Sequence, residues 1–198
     1  VLPHFKERKK GTLINTISIG AFIPETYGVA YSASKYGLRG YAEALRAELG
    51  SWRDIHICDV FPSYIDTPGF EHAGNYTGKK LPPVPPVYTA ERVAGAMVKL
   101  AQHPKGGVIV GESGHMIRLF GALFPRTTRR GLTLMLDQYF SRAKPAPVTN
   151  GALFQPMTTG TGTSGGWRRP AENLAVNIAA GLLAAGIAAG IMMLGRRR

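Results

Sequence analysis

The chain has 198 residues, with 24 Lys+Arg against 12 Asp+Glu, for a formal net charge of +12. That length buries one substantial core with appendages rather than two full domains, and the single cysteine, Cys58, excludes an internal disulfide framework. The charge is uneven: residues 1–117 carry 13 basic against 10 acidic side chains, or +3, whereas residues 118–198 carry 11 against 2, or +9. Arginines in that tail flank apolar segments instead of alternating with aromatics, which favours an anionic membrane surface over nucleic acid as partner. From Val1 no charged start, apolar stretch and cleavage site follow in order, so no signal peptide is expected.

In chain order, Thr12–Ile17 is rich in β-branched and apolar residues and reads as a buried strand following the end of a helix. From about Val29 to Leu49 apolar residues recur at helical spacing (Leu38, Tyr41, Ala42, Leu45, Leu49), with Gly50 as a stop signal. Ile55–Phe61 is a second strand, ended by Pro62 and enclosing Cys58 as a small core hydrophobe. Strand, helix, strand makes a βαβ unit and a parallel sheet. Residues 62–87 are dense in Pro, Gly and polar side chains and read as a long functional loop.

Thr89 is placed to cap a helix over Ala90–Gln102, and Val108–Val110 is a third short strand. Met116–Phe140 holds amphipathic helical sequence broken near Pro125, with Arg126, Arg129 and Arg130 close by, a surface able to cap the core or rest on lipid. Residues 143–171 turn to Pro, Gly, Ser and Thr and read as a flexible linker. The expected division is therefore 1–142, a catalytic domain; 143–171, a linker; and 172–198, a hydrophobic helix with a basic end. The five histidines have no metal-ligand spacing, so no metal site is expected.

Chemistry concentrates in Asn15-Thr16-Ile17-Ser18, in Tyr31-Ser32-Ala33-Ser34-Lys35 thirteen residues after Ser18, and in Pro62-Ser63-Tyr64-Ile65-Asp66-Thr67. On a helix Tyr31 and Lys35, at i and i+4, share a face, and an ammonium beside a phenol is expected to lower its pKa toward the working range. Ser18, at the carboxyl end of a strand, lies where open parallel sheets bind ligands. A second Tyr-x3-Lys, Tyr76 to Lys80, sits in the Gly/Pro-rich loop with no strand and serine before it and reads as solvated side chains.

These three segments resemble the short-chain dehydrogenase/reductase family, whose pattern runs Asn-x-Ser-Ser, Tyr-x-Ala-Ser-Lys, Pro-Gly-x-Val-x-Thr. The resemblance extends from about Leu2 to Gly111. It implies a partial Rossmann-like α/β fold, a doubly wound parallel sheet, and an NAD- or NADP-dependent oxidoreductase, with NADP favoured, interconverting a secondary alcohol and a ketone. It also implies roles: Tyr31 as general acid/base, Lys35 tuning it and binding the nicotinamide ribose, Ser18 orienting the substrate oxygen, and Pro62, Ile65 and Thr67 lining the nicotinamide. Ile17 replaces the first serine of the pair and Ser63 the usual glycine. The family's Gly-rich turn would lie upstream of Ser18, so the chain reads as a fragment and its choice between NAD and NADP lies outside it. Gly160-Thr161-Gly162-Thr163-Ser164-Gly165 follows no strand and does not replace that turn.

Leu174–Leu194 is 21 residues with one polar member, Asn177, long enough at ~1.5 Å per residue to cross a ~30 Å hydrocarbon core. Ten of the 21 are Ala or Gly, and Gly186-Ile187-Ala188-Ala189-Gly190 is a small-x3-small pattern that could pair two copies as a homodimer. The expected protein is membrane-associated with its catalytic domain cytoplasmic, acting on a lipophilic carbonyl or alcohol. The competing readings are a noncatalytic membrane-tethered binding module and an epimerase or dehydratase of the extended branch, the latter disfavoured by the short segment after Thr67.

Overall fold

In the computed structural model, residues 1–168 are described. Strand β1 (Gly11–Thr16) pairs in parallel with β2 (Ile55–Pro62), from Gly11 against Ile55 to Thr16 against Val60. β2 pairs in parallel with β5 (Gly107–Val110), from Asp59 against Gly107 to Pro62 against Val110, so β2 is central in the order β1-β2-β5. Helix α1 (Leu2–Arg8) precedes β1, and α2 (Val29–Glu48) and α4 (Ala90–Gln102) supply the crossovers. Two-residue strands β3 (Ile65–Asp66) and β4 (Tyr88–Thr89) pair in parallel beyond the carboxyl end of β2.

Side-chain alternation along β2 explains why helices lie on both faces. Ile55 and Ile57 join Ala42 and Leu45 of α2 and its C-cap Leu49 in one core, while Cys58 and Val60 point the other way into a core with Leu100 of α4 and Val110. Phe61 continues the first face and meets Ile17, Ile19 and Ile109. This is the doubly wound arrangement expected, and Cys58 is fully buried within it. Burial pushes its thiol pKa up, the signature of a packing residue.

Asp59 falls on the α2 face of β2 and is 0% exposed. Both terminal nitrogens of Arg46 donate to its Oδ2, at 2.8 and 2.7 Å, and Asn15 Nδ2 donates to its Oδ1 at 3.0 Å. One carboxylate thus fastens α2 and β1 to the central strand.

Several expectations change in detail. Tyr41, placed on the apolar face of α2 by its spacing, is exposed, because that face is covered only along Leu38, Ala42, Leu45 and Leu49. Thr89 does occupy the N-cap position of α4, but its side chain makes no capping hydrogen bond; its backbone is in the β3–β4 pairing instead. The Pro/Gly loop contains β3 and a single-turn helix α3 (Gly69–His72). The amphipathic stretch begins earlier than expected, as α5 (Glu112–Leu123), and breaks near Pro125 as expected, that proline opening α6 (Pro125–Ser141).

Residues 143–168 form no helix or named strand, yet they run back over the loop through bridges Asn75 to Thr149 and Lys79 to Pro145. The expected span Leu174–Leu194 lies outside the described residues. Among the described residues, no helix is long and apolar enough to cross a membrane.

Candidate active site

Parallel pairing brings the carboxyl ends of β1 and β2 to one edge of the sheet, and the sequence-predicted residues gather there. Ser18 follows β1, where its Oγ accepts a hydrogen bond from the Gly20 N–H at 3.0 Å and caps the 3-10 turn Ile19–Ala21. Tyr31 and Lys35 stand one turn apart on α2, with Lys35 Nζ 5.7 Å from the centroid of the Tyr31 ring. Lys35 Nζ also donates to the Thr16 carbonyl at 3.1 Å, tying the helix to the last residue of β1. An ammonium has three donors, so this anchor leaves donors for a ligand.

Gly20 marks the centre of the site. A Cβ built on it would lie 3.4 Å from Ser18 Oγ and 3.4 Å from Cε1 of Tyr31, so both side chains pack beside this glycine. Ser32, buried in the middle of the Tyr-Ser-Ala-Ser-Lys run, accepts the Glu25 N–H on its Oγ at 2.9 Å and fixes the approach to α2. Tyr27 in that approach takes a left-handed backbone, φ 67°, and its hydroxyl donates to Asp137 of α6 at 2.7 Å.

The electrostatics depart from expectation at Tyr31. Its pKa is raised rather than lowered, chiefly by burial of the phenol; the Ser18 hydroxyl works against the rise and the Glu25 carboxylate adds to it. Lys35 titrates low, also through burial. The expected lowering rests on an ammonium at i+4, and here the Lys35 ammonium turns to the Thr16 carbonyl while desolvation of the phenol sets the direction.

Pro62 is the last residue of β2, and Ile65 and Thr67 follow it at the same edge. Pro62 ends the strand against Val110, and Ser63 N–H donates to the Val110 carbonyl at 2.9 Å. The Ile65 carbonyl accepts from Thr67 N–H at 2.9 Å, and the Thr67 carbonyl accepts from Trp167 Nε1 at 3.2 Å. Asp66 gathers Ser164 Oγ at 2.8 Å and the N–H groups of Gly165 and Trp167 at 3.1 and 2.8 Å. Tyr64 reaches across to the first half of the site, its hydroxyl donating to Glu25 Oε1 at 3.1 Å. Tyr76 and Lys80 stay out in the loop, where Tyr76 binds Asn150.

Sequence reasoning missed Glu25, Tyr64 and Asp66. Glu25 had one signal, a lone acidic residue between the apolar Ala21–Ile23 run and Tyr31. Asp66 had none, since its partners lie about a hundred residues on.

Residues 1–76 match the family model described as short chain dehydrogenase. That stretch holds Ser18, Tyr31 and Lys35. An uncharacterized oxidoreductase of Bacillus subtilis, YxnA, is 32% identical over 168 residues, 80% of this chain and 46% of that protein. A 3-ketodihydrosphingosine reductase of Bos taurus is 29% identical over 120 residues, 59% of this chain and 36% of that protein. The chain therefore spans about half the length, or less, of these relatives. A Burkholderia cenocepacia short chain dehydrogenase solved with NADP superposes with a TM-score of 0.53 at 23% identity, covering 66% of this chain and 50% of that one, which shows the shared Rossmann-like fold.

Proposed function

We propose that this chain is the catalytic portion of a nicotinamide-dependent oxidoreductase that interconverts a ketone and a secondary alcohol. The observation that carries the reading is the convergence of Ser18 Oγ and the Tyr31 ring beside Gly20, with Lys35 one turn on along α2. A serine hydroxyl and a phenol side by side at the carboxyl edge of the sheet suit a carbonyl oxygen, and the Lys35 ammonium beside them, with donors beyond its bond to Thr16, suits a nicotinamide ribose. The nicotinamide, when bound, supplies or takes the hydride at carbon.

The chain's own residues handle the oxygen. In reduction Ser18 donates a hydrogen bond to the carbonyl oxygen, and Tyr31, held neutral by its raised pKa, gives that oxygen its proton. Lys35, fixed on Thr16, keeps the phenol's side of α2 against β1 and has donors left for the nicotinamide ribose. Pro62, Ile65 and Thr67 would line the nicotinamide face. NADP is the favoured cofactor, supported by the NADP-bound state of the Burkholderia protein.

Membrane association is part of the proposal. Leu119, Leu123, Phe124 and Leu134 are exposed around the α5–α6 corner, with Arg126, Arg129 and Arg130 exposed beside them, a surface suited to the headgroup boundary of an anionic bilayer. The Leu174–Leu194 segment would anchor it, a lipophilic substrate would follow from that setting, and the homodimer pairing and cytoplasmic catalytic domain remain part of this reading. The test is spectrophotometric: full-length protein supplied with NADPH or NADH and a panel of long-chain ketones should oxidise the cofactor at 340 nm. Cofactor binding without turnover of any carbonyl would instead favour the noncatalytic binding module.

A further inference from the structure

Residues 143–168 return over the loop that follows β2 in reverse order, attached at successive points. Pro145 bridges to Lys79 and Thr149 to Asn75, the Ala152 N–H donates to the His72 carbonyl at 2.8 Å, and the Thr159 carbonyl lies 3.2 Å from His72 Nε2. The last attachment holds the most bonds. The Asp66 carboxylate, 8% exposed, accepts the Gly165 and Trp167 N–H groups on Oδ1 and the Ser164 hydroxyl on Oδ2. Trp167 Nε1 donates to the Thr67 carbonyl, and the indole stands edge-on to Phe70 with centroids 6.4 Å apart.

Among the described residues the salt bridges join Arg39 to Glu43, Arg46 to Asp59 and Arg92 to Glu112, and none reaches Asp66. Its buried charge is therefore stabilised by donors of the return segment, and such charge-assisted bonds are stronger than neutral ones. Gly165 approaches so closely that a Cβ there would collide with the Thr67 carbonyl oxygen and the Trp167 indole nitrogen. The loop beyond Thr67 has little packing of its own, since α3 is a single turn with no buried residue. The clamp at 164–167 supplies order where the core does not.

We propose that Asp66 and Trp167 are positioning residues for the cofactor: by clamping residues 164–167 onto the loop after β2, they hold Ile65 and Thr67 in the conformation that receives the nicotinamide. This rests on the oxidoreductase reading above, which sets Ile65 and Thr67 against the nicotinamide. The bonds of the clamp run to the loop and not to Ser18, Tyr31 or Lys35. The Asp66 backbone pairs with Thr89 while its carboxylate takes the return segment, so one residue joins that segment to the β3–β4 pair. Ordering the loop in advance removes an entropy cost from cofactor binding, so the effect falls on affinity rather than on the hydride step. By linkage, bound cofactor stabilises the clamp in return.

The experiment uses the full-length protein with NADPH or NADH, whichever it binds. Asp66→Ala should raise the Kd and KM for that cofactor about tenfold, with kcat and the KM for the ketone within about twofold of the unsubstituted protein. Asp66→Asn keeps an acceptor for the two N–H groups and should recover part of the loss. Trp167→Phe keeps the ring and the backbone N–H but not the bond to Thr67, and should raise the same Kd roughly threefold without disturbing the buried carboxylate. A readout free of turnover is hydrogen exchange: saturating cofactor should slow the amides of 164–167 by about tenfold in the unsubstituted protein, the reciprocal of the affinity change. Exchange there that cofactor leaves unchanged, or a cofactor Kd that stays put in Trp167→Phe or falls in Asp66→Ala, overturns the proposal and leaves the oxidoreductase reading in place. Failure of the unsubstituted protein to bind either cofactor overturns both.

Discussion

Replacing Arg46 by Met removes both hydrogen bonds to Asp59 Oδ2 and leaves a carboxylate that is 0% exposed with Asn15 as its remaining partner. Stranding a buried charge in this way costs about 3–5 kcal/mol in a dry site. The Arg46 side chain is 31% exposed, so water can enter the vacated space, and a loss of roughly 2–3 kcal/mol is expected. For a chain of this size that lowers Tm by about 5–10 °C. The pH dependence identifies the cause. Asp59 already titrates above its ordinary value through burial, so its folded form binds a proton more readily than the unfolded chain, and its contribution to stability is lost as pH rises through the folded value. Arg46→Met should raise that value further, so the substitution should be most damaging near neutral pH and progressively milder as Asp59 is protonated on acidification. Urea unfolding followed by circular dichroism, from pH 5 to pH 8, reads both effects. A loss below about 0.5 kcal/mol, or one that does not change with pH, would refute the claim that this ion pair holds α2 to the sheet.

Three further outcomes follow from particular contacts. Gly111 has φ 110° and a Cβ there would come within 2.5 Å of Tyr88 and 2.7 Å of Ser63, so Gly111→Ala should destabilise the chain by at least ~2 kcal/mol in the same unfolding assay. Asp66→Ala removes the acceptor of Ser164, Gly165 and Trp167, and amide exchange at 164–167 and fluorescence exposure of Trp167 should both increase. The ultraviolet phenolate signal that disappears in Tyr31→Phe should develop, without cofactor, only above the ordinary phenol value near ~10; a titration below it would reverse the electrostatics described for the site.

What the sequence disclosed and what it concealed divide along physical lines. The βαβ core was legible because apolar spacing along 29–49 serves one packing face and the near-continuous apolar run Ile55–Phe61 serves both faces of the sheet. Ser18, Tyr31 and Lys35 were legible because their spacing is local: a strand end followed by one helix turn. The direction of the Tyr31 pKa was not, since it depends on how far the ring is desolvated and on Glu25, and neither is set by i, i+4 spacing. Asp66 and Trp167 were invisible for a related reason, their meeting being fixed by the return path of residues 143–168 over the loop. Asp59 read as one polar residue in an apolar strand, and only the register of β2 against β1 and α2 shows why it is there.

Turnover by Tyr31→Phe in the full-length protein, with cofactor and an accepted ketone, bears most directly on the assignment. Loss of the hydroxyl should lower kcat by at least ~100-fold, with cofactor binding retained, because a positioned proton donor contributes about that much or more. Reduction at an undiminished rate would contradict it.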